Sequence, residues 1–323
     1  MQDSMDLVIE AVRGLPTKVI DPDGDATLIL SSRQYRRLFL CSSQRLISTC
    51  GHFRKKLAEG GQPHTELMRD KKVYLTISDF DPKAVEIILS LIHGRIDNIP
   101  RMPDFPLLLD LARFCRYLQC LPALKPFANS WMNRQKNSIL ATSALTADSH
   151  SLMFISLTFR HQEVFRHITA IFQQNLADRM DLFRTQPLVP KEIIKRINAA
   201  REAYLNKLSR LLYAHHKRLS RGPPICTSKC DKSYSNMMIE ISASGLLPFF
   251  QQPNPRYTGY VPKSVRLKLL QISSDNFLHT DRVCPHGKGP LCPNYHNPLG
   301  VDVENHLWQF AALLPGADLP VQE

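Results

Sequence analysis

Two groups of residues in this 323-residue chain have types and spacing suited to chemistry. The first is the pair Cys226-x-x-x-Cys230 together with Cys284-Pro285-His286 and, a little further on, Cys292 and His296. Tetrahedral zinc takes four ligands from Cys thiolate and His nitrogen, and a closely spaced pair lets one turn present two of them. Two arrangements fit one structural zinc ion. One joins Cys226 and Cys230 to Cys284 and Cys292, with His286 in place of either. The other uses only Cys284, His286, Cys292 and His296, within a segment rich in Pro and Gly turns. The plainer reading is a set of reduced thiols on an irregular tail. A catalytic metal is not expected, because four protein ligands leave no open position for water.

The second group is cationic. The chain carries a formal net charge of +12, and the segment from Arg179 to Lys232 alone holds 13 basic against 4 acidic side chains. Lys191, Lys195, Arg196, Arg201, Lys207, Arg210, Lys217, Arg218 and Arg221 alternate there with apolar positions. Such a field suits an acidic partner, whether nucleic acid, an acidic protein face or a phospholipid surface, and does not choose among them. Contacts to phosphate alone are weak, unspecific and steeply salt-dependent. The commoner role of such a face is simply to be solvated. No helix-turn-helix, RNA-binding signature or interleaved aromatic residues point to base recognition.

Spacings that impose catalysis are missing from the sequence. It has no Gly-rich loop ending in Gly-Lys-Ser/Thr, no His-Glu-x-x-His, no Gly-x-Ser-x-Gly and no dinucleotide fingerprint. No catalytic or cofactor-binding residue is therefore assigned, and a non-enzymatic protein is expected. Cys41, Cys50, Cys115 and Cys120 fall on apolar faces and read as small core residues. His93 reads as a capping or core histidine.

The elements that must position these residues follow from local pattern. Thr17–Ile20 and Ala26–Leu30 are β-prone runs around Asp21-Pro22-Asp23-Gly24-Asp25, where Pro pre-sets a turn and Gly supplies positive φ, so a hairpin is expected. A basic tip at Arg33–Arg37 precedes a strand at Leu38–Cys41 and an N-cap at Ser42-Ser43. One helix should then bury Leu46, Cys50, Phe53 and Leu57. Gly60–Asp70 reads as a loop, and Val73–Ile77 as a strand. Asp81-Pro82 is a specific helix start, with Val85, Ile88, Leu89 and Ile92 as its buried stripe and His93-Gly94 as its end. Further helices are expected at Pro106–Leu118 and Leu121–Asn133, at one or two places in Leu152–Met180 with a break near Arg160-His161, from Pro190 to about Leu219, from Ser233 to Gly245 and from Lys263 to Ile272.

Several phrases, in this order, resemble the BTB/POZ domain in the version abundant in filamentous fungi. They are Asp21-Pro22-Asp23-Gly24-Asp25-Ala26-Thr27-Leu28, then Leu38-Phe39-Leu40-Cys41-Ser42-Ser43, and Val73-Tyr74-Leu75 leading to Asp79-Phe80-Asp81-Pro82. Ile92-His93-Gly94-Arg95 with Ile99-Pro100 follows, and then Arg116-Tyr117-Leu118-Gln119-Cys120 before Trp131. The resemblance spans roughly residues 15 to 135. It departs where the family has Asp-Lys-Tyr-x-Cys and this chain has Cys115-Arg116-Tyr117-Leu118-Gln119-Cys120, which counts against a homodimer of the swapped kind. Fungal proteins of this type carry a Cys pair followed later by a His and a Cys, which favours the zinc arrangement that includes Cys226 and Cys230.

The expected fold class is α+β: a 1–14 segment, a BTB/POZ-like domain at 15–135 with a small sheet flanked by helices, a helical region with the basic helix at 136–222, and a Cys/His-containing region at 223–323. An apolar content of 43% and a charged content of 22% are ordinary for a folded chain. No secretory signal or membrane span is read, so an intracellular protein, cytoplasmic or nuclear, is expected. The resemblance implies an adaptor or scaffold that binds protein partners, with a homodimer among the forms it implies, and that feeds a ubiquitin ligase as a substrate adaptor or a transcriptional complex as a regulator.

Overall fold

A computed structural model describes residues 14–32, 35–58, 61–180, 189–221, 238–248, 257–276 and 314–320. The fold is α+β, with one small sheet near the N-terminus and a mostly helical remainder. The chain divides into two compact units, 1–142 with 150–164, and 143–149 with 165–323.

The sheet of the first unit contains β1 (Thr17–Val19), β2 (Ala26–Ser31), β3 (Arg36–Cys41) and β4 (Val73–Ser78), in the order β1-β3-β2-β4. β3 runs parallel to β1 and antiparallel to β2, and β2 runs parallel to β4. Val73, Leu75 and Ile77 alternate inward along β4 and stand opposite Ala26, Leu28 and Leu30 of β2, all of them buried. The period of two thus sets the register.

The expected hairpin between Thr17–Ile20 and Ala26–Leu30 does not form, because β3 lies between the two runs. Ala26, Leu28 and Leu30 are fully buried, so β2 takes a central place and needs a partner on each side. Its antiparallel partner comes from the short connection in which Ser32 N–H donates to Tyr35 O. Ile20 and Asp21 N–H both donate to Leu40 O, and the chain then crosses the end of β3. Gly24 is needed there for closeness rather than for positive φ: a Cβ on it would come within 2.7 Å of the Cys41 carbonyl oxygen.

The helices of the first unit are α1 (Ser43–Thr49), α2 (Gly51–Lys56), α3 (Gln62–Asp70), α4 (Pro82–Ile92), α5 (Phe105–Leu118), α6 (Leu121–Leu140) and α7 (Ser149–Thr158). The single helix expected to carry Leu46, Cys50, Phe53 and Leu57 is broken at Cys50, whose φ of −115° and ψ of 115° are extended. All four side chains are still buried. The expected loop at Gly60–Asp70 holds α3, since Pro63 in a first turn costs a helix no hydrogen bond. Its polar composition reflects a mostly solvated helix that buries Leu67. The Asp81 cap accepts from Ala84 N–H at 2.9 Å, as the Asp-Pro signal requires. α5 starts in the same way at Asp104. α6 runs on past Asn133 to Leu140 because Ile139 continues the buried stripe of Leu124, Ala128, Trp131 and Met132.

The second unit holds α8 (Gln162–Asn175) from Phe165 onward, α9 (Lys191–Arg221) and α10 (Pro262–Asn276), with a short helical stretch at 238–243. The break expected near Arg160-His161 falls between α7 and α8, where Arg160 has a φ of 59°. Tyr204, Leu205, Leu208 and Leu212 of α9 pack with Ile241, Leu246, Tyr257, Leu314 and the α10 residues Val265, Leu269 and Ile272. At residues 314–320, Ala317 N–H donates to Thr169 Oγ1 at 2.7 Å and Gly316 N–H to Gln173 Oε1 at 3.0 Å, which ties this segment to α8.

Candidate interaction surfaces

In the first unit the polar residues of the ordered phrases bond to one another. Asp25 accepts from Ser43 N–H at 2.6 Å and from Ser43 Oγ at 2.7 Å, so one carboxylate caps the start of α1 from the mouth of β2. Asp25 O accepts from Val73 N–H at 2.9 Å, which ties the same residue to β4. His93 ends α4 and is buried. Its Nε2 accepts from Ser42 N–H at 3.0 Å, so Nδ1 carries the proton and donates to Leu89 O at 2.8 Å. Burial lowers its pKa and favours this neutral form. Trp131 Nε1 donates to Pro100 O at 2.9 Å. Asp25, Ser42, Ser43, His93 and Trp131 are therefore structural ties, and His93 has both ring nitrogens engaged.

Cys41, Cys50, Cys115 and Cys120 are all buried thiols. Burial pushes Cys41 far above the ordinary thiol range. Cys120 is raised by its hydrogen bonds to Cys115 and Cys50 and by burial, while Cys50 is lowered by the hydrogen bond it receives from Cys120. Sulfur buried in this way is packing material shielded from solvent reagents. Large apolar side chains that remain exposed in this unit are Val19, Met68, Ile96 and Met102.

In the second unit α9 separates into two faces. Ile193, Ile197, Tyr204, Leu205, Leu208 and Leu212 are buried, while Lys191, Lys195, Arg196, Lys207, Arg210 and Lys217 are exposed. The cationic helix expected from the sequence is present, with one member removed from its face. Arg201 is 2% exposed. Its Nε donates to Leu176 O at 2.9 Å, and its Nη2 is shared by the carbonyls of Ala177, Tyr257 and Tyr260. Burial lowers its pKa, opposed by Glu202 and Asp178. A guanidinium can serve several carbonyls because its donors form a planar fork. Arg201 holds three chain segments together and is unavailable to a phosphate. Its phase shows this in the sequence: Ile193, Ile197, Arg201, Tyr204 and Leu208 recur at spacings of three or four.

The exposed cations are not equally balanced. Near the start of α9, Lys195 lies 4.0 Å from Glu192, and Arg196 Nη1 donates to Asp318 O at 3.4 Å. From Ala203 to Arg221 the sequence holds Lys207, Arg210, Lys217, Arg218 and Arg221 and no acidic residue. Between Lys207 and Arg210 the surface opens into a depression of about 510 Å³. Ala203, Asn206, Lys207, Arg210 and Leu211 line it, and its floor is mostly apolar.

Cys226, Cys230, Cys284, His286, Cys292 and His296 lie outside the described residues, as does the helix start expected at Ser233. Among the described residues, no group of three or more His, Cys, Asp or Glu side chains is placed to hold a metal ion. Also among them, no helix is long and apolar enough to cross a membrane.

No protein-family model matches this chain, and no curated protein matches it. The first unit has Asp25, Ser42, Ser43, His93 and Trp131 bonded internally, and the second presents the cationic face of α9.

Proposed function

We propose that this chain is a non-enzymatic interaction protein, an adaptor or scaffold whose first unit is BTB/POZ-like. The observation that carries the reading is the mutual bonding of the phrases that suggested it. Asp25 of the first phrase meets Ser43 of the second and Val73 of the third, Ser42 meets His93 of the fourth, and Pro100 meets Trp131. Residues far apart in sequence are thus spent on assembling one module. Asp25, Ser42, Ser43, His93 and Trp131 are engaged there as caps and ties, which suits a protein that works by binding.

The experiment is affinity purification of the full chain with mass spectrometry, carried out with and without nuclease. An adaptor retains a reproducible set of protein partners after nuclease treatment. Loss of the whole set with nuclease would replace this reading with nucleic-acid association through α9. Self-association, which the BTB/POZ resemblance implies, is tested separately by light scattering across a concentration series, and a constant monomer mass would remove that part alone. One structural zinc ion held among Cys226, Cys230, Cys284, His286, Cys292 and His296 belongs to the same proposal, and metal analysis of protein purified without chelator tests it at about one zinc per chain.

A further inference from the structure

We infer that the exposed face of α9 around Lys207 and Arg210 docks an acidic, amphipathic helix of a partner protein. The inference stands on the second unit, so its failure would leave the adaptor reading of the first unit intact.

Three observations meet at this place. Lys207 and Arg210 are both exposed, and neither makes an ion pair among the described residues. They lie three residues apart, so they share a face, and Lys217 stands on it again two turns later. Over the roughly 15 Å from Lys207 to Lys217, at about 1.5 Å per residue, the helix carries no acidic side chain to neutralise them. The exposed cations Lys207 and Arg210 attract carboxylates, and the attraction steers and orients a partner more than it holds it.

The second observation supplies the holding. The depression between the two cations has an apolar floor that includes Ala203 and Leu211. A volume of about 510 Å³ accepts one aliphatic side chain with room to spare. Burying such a side chain removes apolar surface from water, a gain that charge alone does not provide.

The third observation is spacing. Ala199, Ala203 and Ala214 are exposed on α9. Short side chains between the long cationic ones let another helix approach the α9 backbone closely, with its acidic residues reaching past to Lys207 and Arg210. Helix-in-groove recognition has this form, with apolar anchors three or four residues apart. A nucleic acid fits less well. The described residues that line the depression offer no aromatic platform for a base, and phosphates make no use of an apolar floor.

The probe is a fluorescein-labelled 14-residue peptide of Glu with Leu at positions 4, 8 and 11. A second peptide has Ala in place of Leu at equal charge, and a third probe is a labelled 14-nucleotide single-stranded DNA. Binding to the full-length protein is followed by anisotropy at about 0.15 M salt. The expected result is that the Leu peptide binds about fivefold or more tighter than the Ala peptide. The double variant Lys207→Glu with Arg210→Glu should weaken both peptides roughly tenfold. Ala203→Trp, which fills the depression, should abolish the preference for Leu while sparing the Ala peptide. All three positions are exposed, and unchanged melting curves establish that the variants fold. If charge reversal perturbs folding, Lys207→Gln with Arg210→Gln makes the same comparison. Equal binding of the two peptides, DNA as the tightest ligand, no detectable peptide binding, or indifference to the Lys207 and Arg210 changes would each overturn the inference.

Discussion

Replacing Arg201 with Met keeps an unbranched side chain of similar reach and similar helix propensity, so the change isolates the guanidinium. In the native protein that group donates to the carbonyls of Leu176, Ala177, Tyr257 and Tyr260, which lie before α9 and after it in the chain. Removing the donors strands buried acceptors, at about 1–3 kcal/mol for each one left without a partner. If two of the four stay unsatisfied, the loss is about 2–6 kcal/mol. Part of it is recovered, because the cation no longer has to be desolvated and no buried carboxylate is left behind. A net loss of about 3 kcal/mol follows, which lowers the melting temperature by roughly 6–12 °C for a unit of this size.

The assay is urea unfolding followed by circular dichroism at neutral pH, fitted with separate transitions for the two units. Arg210→Met is the control. It removes the same charge from the same helix at an exposed position, and should change stability by no more than about 0.5 kcal/mol. Arg201→Lys should not rescue the loss, since a single ammonium lacks the planar fork that reaches several carbonyls while still having to be desolvated. Arg201→Met and Arg210→Met variants of equal stability would refute the reasoning and return Arg201 to the solvated face.

Asp25→Ala removes the carboxylate that receives both Ser43 N–H and Ser43 Oγ, and should cost about 1–3 kcal/mol in urea unfolding; a loss below about 0.5 kcal/mol would count against the tie. His93 is held neutral by burial, so the unfolded chain binds more protons at low pH. Its contribution is fully present above the unfolded pKa of about 6.5 and is lost as pH falls through its lower folded value. His52, His150 and His161 are shifted the same way, so stability should decline below about pH 6.5, and a His93→Leu variant should show a shallower decline. Alkylation with iodoacetamide at neutral pH, read by peptide mass spectrometry, should leave Cys41, Cys50, Cys115 and Cys120 unmodified until denaturant is added.

The sequence yields most where a local signal and a buried stripe agree. Asp81-Pro82 before Val85, Ile88, Leu89 and Ile92 gives a helix start and its inner face together, because the cap and the packing are local to one helix. It yields less where the outcome depends on distant partners. Nothing between Thr17 and Leu30 shows that β3 will enter between two β-prone runs, since that pairing is decided by the demand of a fully buried β2 for neighbours on both sides. Pro63 within a polar stretch looks like a breaker until its place in a first turn is known. Arg201 lies between these cases. Its charge places it with Lys195 and Arg210, and its phase places it with Ile197 and Tyr204. Phase prevails because a helix has one orientation against its core, and a side chain on the inner arc must satisfy its polar atoms there or unfold the packing. The backbone carbonyls of Leu176, Ala177, Tyr257 and Tyr260 let the guanidinium do so. The same argument fixes what α9 offers a partner: Lys207 and Arg210, out of phase with its apolar stripe, stand exposed beside an apolar depression and make no ion pair among the described residues.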